Sequence, residues 1–364
     1  GLGYVDGDQV TVQPMTIRIH EQEQALYFPL TKKPDFISFD LGNHYTKTVK
    51  LEYPLPELKA QLQHDPDPIS RIFAAEAIAQ KGGLGAVKAL AKALTDDPFW
   101  GVRAEVAEQL ANLKLDQATD ALLEGLLDPH AKVRQAVVSA LGQIKTLTSY
   151  QALAQVVEQG DAAYGVEAAA ARALGKVGAT RLPEIPPASD TLDRLQQVLE
   201  TRSGWNEMVR AAALAGISQF KTSEAALELI FPYTAPTQPD ALRWGAMRAL
   251  GAIASGQSKA NIQRIVERLG AIAHEPQFRT QMSAIGALGL MDTPSAAAVL
   301  RDLAAHIDDG RLRRRAEEAA QSVQKRLDKD VAVQQLQQDF EELKKANQDL
   351  KSRLEDLEAK TQST

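Results

Sequence analysis

Two hydrophobic periods divide the chain. Between residues 9 and 52 apolar and polar positions alternate, as in Val10-Thr11-Val12, Met15-Thr16-Ile17-Arg18-Ile19, Ala25-Leu26-Tyr27-Phe28-Pro29-Leu30, Phe36-Ile37-Ser38-Phe39 and Thr48-Val49-Lys50-Leu51. β-Branched and aromatic residues on a period of two, interrupted by Pro14, Pro34 and Gly42-Asn43, predict a run of short strands. Some ~45 residues hold too little apolar surface for an independent sheet. The strands are therefore expected to pack on the first helices or to belong to a larger β-sandwich whose remainder lies upstream.

From about residue 57 the period becomes helical and the pattern repeats. Asp65-Pro66-Asp67-Pro68-Ile69-Ser70-Arg71, Asp97-Pro98-Phe99-Trp100-Gly101-Val102-Arg103 and Asp128-Pro129-His130-Ala131-Lys132-Val133-Arg134 align without gaps, their arginines 32 and 31 residues apart (103 minus 71, 134 minus 103). Apolar residues follow each arginine at +3, +4 and +7 (Ala74, Ala75, Ile78; Val106, Ala107, Leu110; Val137, Val138, Leu141), with a small residue at +8. That spacing is one face of a helix. The frame returns at Arg210 and Arg243, more weakly near Arg279 and Arg311, and without its arginine between Tyr164 and Gly175. Second helices are predicted between, at 86–94, 119–127, 150–159, 258–271 and 294–306.

The Asp-Pro start has a local logic: Asp caps a helix, Pro fits its first turn, and the arginine further in reaches an acceptor in its own or the adjoining repeat. A two-helix unit buries its apolar face only against its neighbours. The fold expected is mainly α, an α-α superhelix of about seven HEAT-like repeats with one concave face. The proline-rich stretch 181–189 interrupts it, and a new helix is predicted from Asp190.

Beyond residue 328 the pattern changes to heptads. Val333, Phe340, Asn347 and Leu354 alternate with Leu336, Leu343, Leu350 and Leu357 at steps of four and three, and Asn at such a position specifies a parallel two-stranded register. The predicted domains are 1–54 (β module), 55–327 (helical repeats) and 328–364 (coiled-coil helix). The tail is expected to form a homodimer through Leu336, Phe340, Leu343, Asn347, Leu350, Leu354 and Leu357.

The 364 residues carry a net charge of -6 and no cysteine. The acidic balance argues against a general nucleic-acid or anionic-membrane surface. Without cysteine there are no disulfides, thiolate metal sites or cysteine nucleophiles. No apolar run approaches the ~18 residues of a membrane span, and a cytoplasmic location is expected. The sequence begins Gly1-Leu2-Gly3-Tyr4, without an initiator Met, which suggests a piece of a longer protein.

A β module followed by Pro34-Asp35-Phe36-Ile37-Ser38-Phe39-Asp40, then Leu55-Pro56-Glu57-Leu58-Lys59-Ala60-Gln61-Leu62 leading to Asp65-Pro66-Asp67-Pro68 and Arg71, resembles the C-terminal portion of bacterial M1-family zinc aminopeptidases. The resemblance spans roughly residues 5 to 325. It implies a part β-sandwich, part HEAT-like region that caps or restricts access to an upstream peptidase domain, where a His-Glu-x-x-His helix and a further glutamate hold zinc. The repeats alone are equally similar to phycobilisome lyase HEAT-like repeats, which implies instead a stand-alone protein-interaction scaffold. The expected partner is accordingly the upstream peptidase domain, or a peptide or protein on the concave face.

No catalytic, cofactor-binding or metal-ligating residue is assigned within this chain, and it is not expected to be an enzyme by itself. His20, His44, His64, His130, His274 and His306 include no i, i+4 pair with a glutamate between, and read as solvated or capping residues. Zinc is expected only in the upstream domain. The pairs Asp96-Asp97, Asp308-Asp309 and Glu317-Glu318 read as helix-dipole partners rather than an acid-base couple. Gly82-Gly83-Leu84-Gly85 joins two helices and reads as a turn. The run Arg311, Arg313, Arg314, Arg315 is expected to pair with Glu317 and Glu318. Trp100, Trp205 and Trp244, near starts of arginine helices, are expected to pack on the preceding repeat.

Overall fold

The computed structural model describes residues 1–7 and 9–361 and, within the last helix, the side chains of 310–329, 336, 338–348, 350 and 351. It contains two compact units, Gly1–Phe220 and Lys221–Thr364.

The first unit opens with a three-stranded antiparallel sheet of β1 (Leu2–Asp6), β2 (Gln9–Gln13) and β3 (Phe36–Ile37) in the order β2-β1-β3. Its centre, β1, lies outside the predicted run because Gly1 and Gly3 dilute its apolar signal. Gly3 is nevertheless required: a Cβ there would stand 2.3 Å from the ring of Phe36, which is fully buried. Segments 15–19, 25–30 and 48–51 alternate as strands do but join no ladder. Alternation reports only that one face is apolar. A strand also needs a neighbour for its backbone, and among the described residues these segments have none.

Ten α-helices follow in this unit: α1 (Leu55–His64), α2 (Pro68–Lys81), α3 (Gly83–Asp96), α4 (Trp100–Leu113), α5 (Asp116–Gly125), α6 (Ala131–Ile144), α7 (Leu147–Gln159), α8 (Tyr164–Gly178), α9 (Ala188–Thr201) and α10 (Met208–Ile217). Even-numbered helices stack in sequence as one layer, and odd-numbered helices as the other. The +3, +4 and +7 residues fill the seam, so that Ala74, Ile78, Val106, Leu110, Val137 and Leu141 are all fully buried. Small residues let the even layer close up: a Cβ on Gly175 would lie 2.3 Å from the carbonyl oxygen of Gly216. The proline-rich insertion tucks Ile185 into the unit, and the helix after it begins at Ala188, two residues before the predicted start.

The second unit contains α11 (Glu224–Ile230), α12 (Asp240–Ile253), α13 (Lys259–Ala273), α14 (Phe278–Leu288), α15 (Pro294–His306) and α16 (Gly310–Thr361). Here α12, α14 and α16 pack successively, and α13 packs on α15. Burial resets the frame of three repeats. In α14 the buried residues are Ala284, Ile285 and Leu288, which places the arginine-equivalent position at Gln281 rather than Arg279. In α16 the position is Arg313 rather than Arg311, since Ala316 and Ala320 are buried. In α8, Ala170, Ala171 and Leu174 set it at Glu167. The arginine anchor misleads at these points because the residue there is Gln or Glu, or an arginine within a run of them. Among the described residues no helix is long and apolar enough to cross a membrane.

Candidate functional site

The aspartate of each regular repeat does not cap its helix. It lies two residues before the N-cap and serves two purposes. One oxygen accepts the N–H two residues on (Phe99 to Asp97, His130 to Asp128, each 2.8–2.9 Å), and after the first repeat both oxygens receive the arginine of the preceding one. Arg71 donates Nε and Nη2 to Asp97 at 2.7 and 3.0 Å, Arg103 does the same to Asp128, and Arg134 to Asp161 at 2.8 Å. Nη1 of each bonds the carbonyl six residues back, at Asp65, Asp97 and Asp128. Such bidentate pairs are geometrically exacting. Their work is to fix repeat spacing, and Asp97 is thereby an inter-repeat partner rather than a dipole group.

The electrostatics follow the pairing. Burial pushes the Asp128 carboxyl up, but the Arg103 guanidinium and the His130 N–H bring it below its ordinary value. Arg134 holds Asp161 low. Asp65 begins the row with no arginine on it, and burial raises its pKa despite the Asp67 N–H and the Ser38 and Gln61 side chains. Glu167 inverts the polarity in α8: it accepts the Asp161 N–H at 3.0 Å and is paired by Arg202. In the second unit Arg243 donates to Thr234 O at 2.7 Å and pairs with Glu275, while Gln281 donates to Ala273 O at 3.1 Å.

Residues 33–43 meet β1 and the first two helices at one joint. Asp35 accepts the Val5 N–H at 2.9 Å, Ser38 and Ser70 hydroxyls lie 3.2 Å apart, Asn43 donates to Asp67 at 2.8 Å, and Lys33 pairs with Glu57 at 2.6 Å. Beside this joint the β module leaves an apolar face uncovered. Met15, Ile17, Ile19, Leu26, Phe28 and Phe39 line an open cavity of about 630 Å³, with the Asp40–Lys47 pair among its lining. Ile19 is 62% exposed. Apolar side chains gathered this way mark a contact surface. It is the strongest candidate site in the first unit.

Other sequence candidates are scattered. His130 caps α6 and stacks on Trp100 with centroids 4.5 Å apart; His274 and His306 bond carbonyls one turn back; His20 and His44 are exposed. Among the described residues no group of three or more His, Asp or Glu is placed to hold a metal. Trp100 and Trp244 face the following repeat rather than the preceding one, Trp244 donating to Thr280 at 3.4 Å, and Trp205 is largely exposed. Of the basic run, Arg314 pairs with Glu318 as expected, whereas Arg311 turns back to Asp309 and Arg313 to the Ile307 carbonyl. The tail residues Leu336, Phe340, Leu343 and Leu350 are 63–69% exposed along α16, while Val333, Leu354 and Leu357 lie outside the described side chains.

A family model for HEAT repeats matches residues 55–136, 119–205 and 235–321, more than half of the chain. Importin beta is 15% identical, with 73% of this chain and 42% of importin beta covered and a TM-score of 0.54. The CpcE–CpcF complex of phycocyanin lyase from Nostoc is 22% identical, covering 77% and 98%, with a TM-score of 0.42. Human deoxyhypusine hydroxylase is 20% identical, covering 74% and 96%, with a TM-score of 0.33. At these identities the likeness concerns the fold alone. A search of curated proteins returned no match.

Proposed function

The chain belongs to the HEAT-repeat family, and from that premise we propose that this helical-repeat scaffold is the non-catalytic C-terminal region of an M1-like metallo-aminopeptidase. Its repeats cap the upstream peptidase domain and restrict which substrates enter. The observation that carries this reading is the uncovered apolar face of the β module around Ile19, Leu26 and Phe28. An apolar face of this size calls for a covering partner, and the adjoining part of a β-sandwich is the occupant the resemblance implies. The joint from Asp35 to Ser70 supports it, because it ties that face to the first repeat. Zinc belongs, on this reading, to the upstream domain.

The test is the protein extended upstream to include a His-Glu-x-x-His helix, assayed on aminoacyl anilides and on long peptides, with and without residues 55–364. Capping predicts that removal raises turnover of long peptides relative to anilides. An unchanged ratio, or an upstream reading frame without a zinc helix, refutes the proposal.

The exposed row Leu336, Phe340, Leu343 and Leu350 favours a second reading, a stand-alone scaffold that dimerises through its tail. Light scattering on the chain with and without residues 330–364 decides it. A dimer that becomes a monomer on truncation supports this reading, and a monomer in both cases removes it.

A further inference from the structure

The even-numbered helices of the first unit run parallel. Trp100 and His130 meet at the N-terminal ends of α4 and α6, whereas Gly142 lies against Ala173, and Gly175 against Gly216, near the C-terminal ends. Their C-terminal ends therefore share one edge, and cations occupy it. Lys114 closes α4, Lys145 closes α6, Lys176 lies in the last turn of α8, and Arg181 follows in the loop. All four are exposed, and among the described residues none makes an ion pair. Lys145, Lys176 and Arg181, with Leu182 and Gln219, line an open hollow of about 600 Å³ that no carboxylate enters.

A cation near a helix C-terminus is ordinarily explained by the macrodipole. That does not account for the backbone at two of these positions. Lys114 (φ 50°, ψ 39°) and Lys145 (φ 55°, ψ 48°) adopt the left-handed conformation in which glycine is the favoured residue. A lysine one turn earlier serves the dipole equally without that strain. The charge is held at the edge itself.

We propose that this edge is a docking surface for an extended acidic segment of a protein partner, whose carboxylates pair with Lys114, Lys145, Lys176 and Arg181. Neighbouring helices in a layer lie ~8–10 Å apart, about one three-residue turn of a polyproline-II-type extended chain at ~3.1 Å per residue, so every third side chain of such a segment faces the row and meets one cation. Duplex DNA carries a charge every ~1.7 Å, too dense for a row this sparse. The surface stands apart from the β module and does not depend on the aminopeptidase reading.

The test uses the full chain and a fluorescein-labelled glutamate-rich peptide long enough to span these helices, followed by anisotropy at low and physiological salt. K145Q/K176Q/R181Q should weaken binding about tenfold. K59Q/K88Q/K92Q, which removes the same charge from α1 and α3, should leave it nearly unchanged. Equal losses in the two variants, no binding by the parent chain, or tighter binding of a single-stranded oligonucleotide of matched charge would overturn the proposal. K114G/K145G separates docking from capping: it should raise the melting temperature while weakening the peptide. A raised melting temperature with unchanged binding also overturns it.

Discussion

The two units solve the same packing problem with different polar joints. In the first, Arg71–Asp97, Arg103–Asp128 and Arg134–Asp161 repeat one bidentate geometry. In the second, Arg243 meets Glu275, Gln281 makes a single bond to a carbonyl, and Ile307 occupies the acceptor's place ahead of Arg313. The apolar seam is nevertheless as tight in both: Ala246, Met247, Leu250, Ala284, Ile285 and Leu288 are fully buried. Apolar burial therefore defines the repeat, and the ion pair is an addition that fixes spacing where both partners are present.

The largest test of that contrast is Arg71→Ala. It leaves Asp97, whose side chain is 3% exposed, charged and without its partner. Removing one member of a buried pair costs about 3 kcal/mol or more, which urea unfolding will register as a lower midpoint. Gln281→Ala removes one neutral hydrogen bond and should cost about 1 kcal/mol. Equal losses would mean that the joints matter alike and the contrast is only geometric.

Glycine substitutions sharpen the comparison with opposite signs. In α8, Gly175→Ala drives a methyl into the Gly216 carbonyl, so the helices must part; overpacking of this kind costs about 1–3 kcal/mol. In α14, Gly286 has open space where a Cβ would stand, and alanine there should gain up to about 1 kcal/mol of helix propensity. Thermal melts of the two variants should move in opposite directions.

The same contrast explains what was legible in the sequence. The Asp-Pro start with Arg six residues later exposed the regular repeats, because one residue type carries both the spacing and the pairing. Where Glu167 or Gln281 stands in that place, only the apolar spacing remains, and anchoring on Arg279 and Arg311 misplaced two repeats by two residues. The apolar face of the β module was visible as alternation. That segments 15–19 and 25–30 join no ladder was not, since period-two patterning says nothing about which backbone is adjacent. The cationic edge was also hidden: Lys114 and Lys145 look like ordinary surface lysines until their backbone conformation is known.

Acid titration tests the joints through their carboxylates. Asp128, Asp161 and Glu275 have folded pKa values below their ordinary ones. Their stabilisation is fully present above the unfolded carboxylate pKa of roughly 4 and is lost as pH falls through the folded values. Asp65 has the opposite sign, because its raised pKa makes the folded chain bind the proton first. Its contribution improves as pH falls through that value. Stability measured against pH should therefore show Asp128→Asn destabilised at neutral pH and converging on the parent in acid. Asp65→Asn should equal or exceed the parent at neutral pH and lose that advantage in acid. A D65N curve that tracks D128N would place Asp65 among the paired carboxylates.

The smallest effect is expected at Arg311, whose pair with Asp309 lies at the surface. Arg311 chelates Asp309 through Nη2 at 2.9 Å and lowers its pKa to about 2, and its guanidinium lies 4.3 Å from the centre of the Phe278 ring. Yet the arginine side chain is 74% exposed, so water solvates both charges in the folded and unfolded chain alike and salt screens what remains. Arg311→Ala should return the Asp309 carboxyl toward its ordinary value by NMR titration and, because a lowered folded pKa is itself stabilisation, should lower the unfolding midpoint only by what salt and solvent leave of that shift. Arg313→Ala, at the true repeat position, should lower that midpoint slightly through loss of its bonds to the Ile307 carbonyl. If Arg311 proves the more costly of the two, the frame belongs at Arg311 after all, and the burial of Ala316 and Ala320 is a poor guide to repeat register.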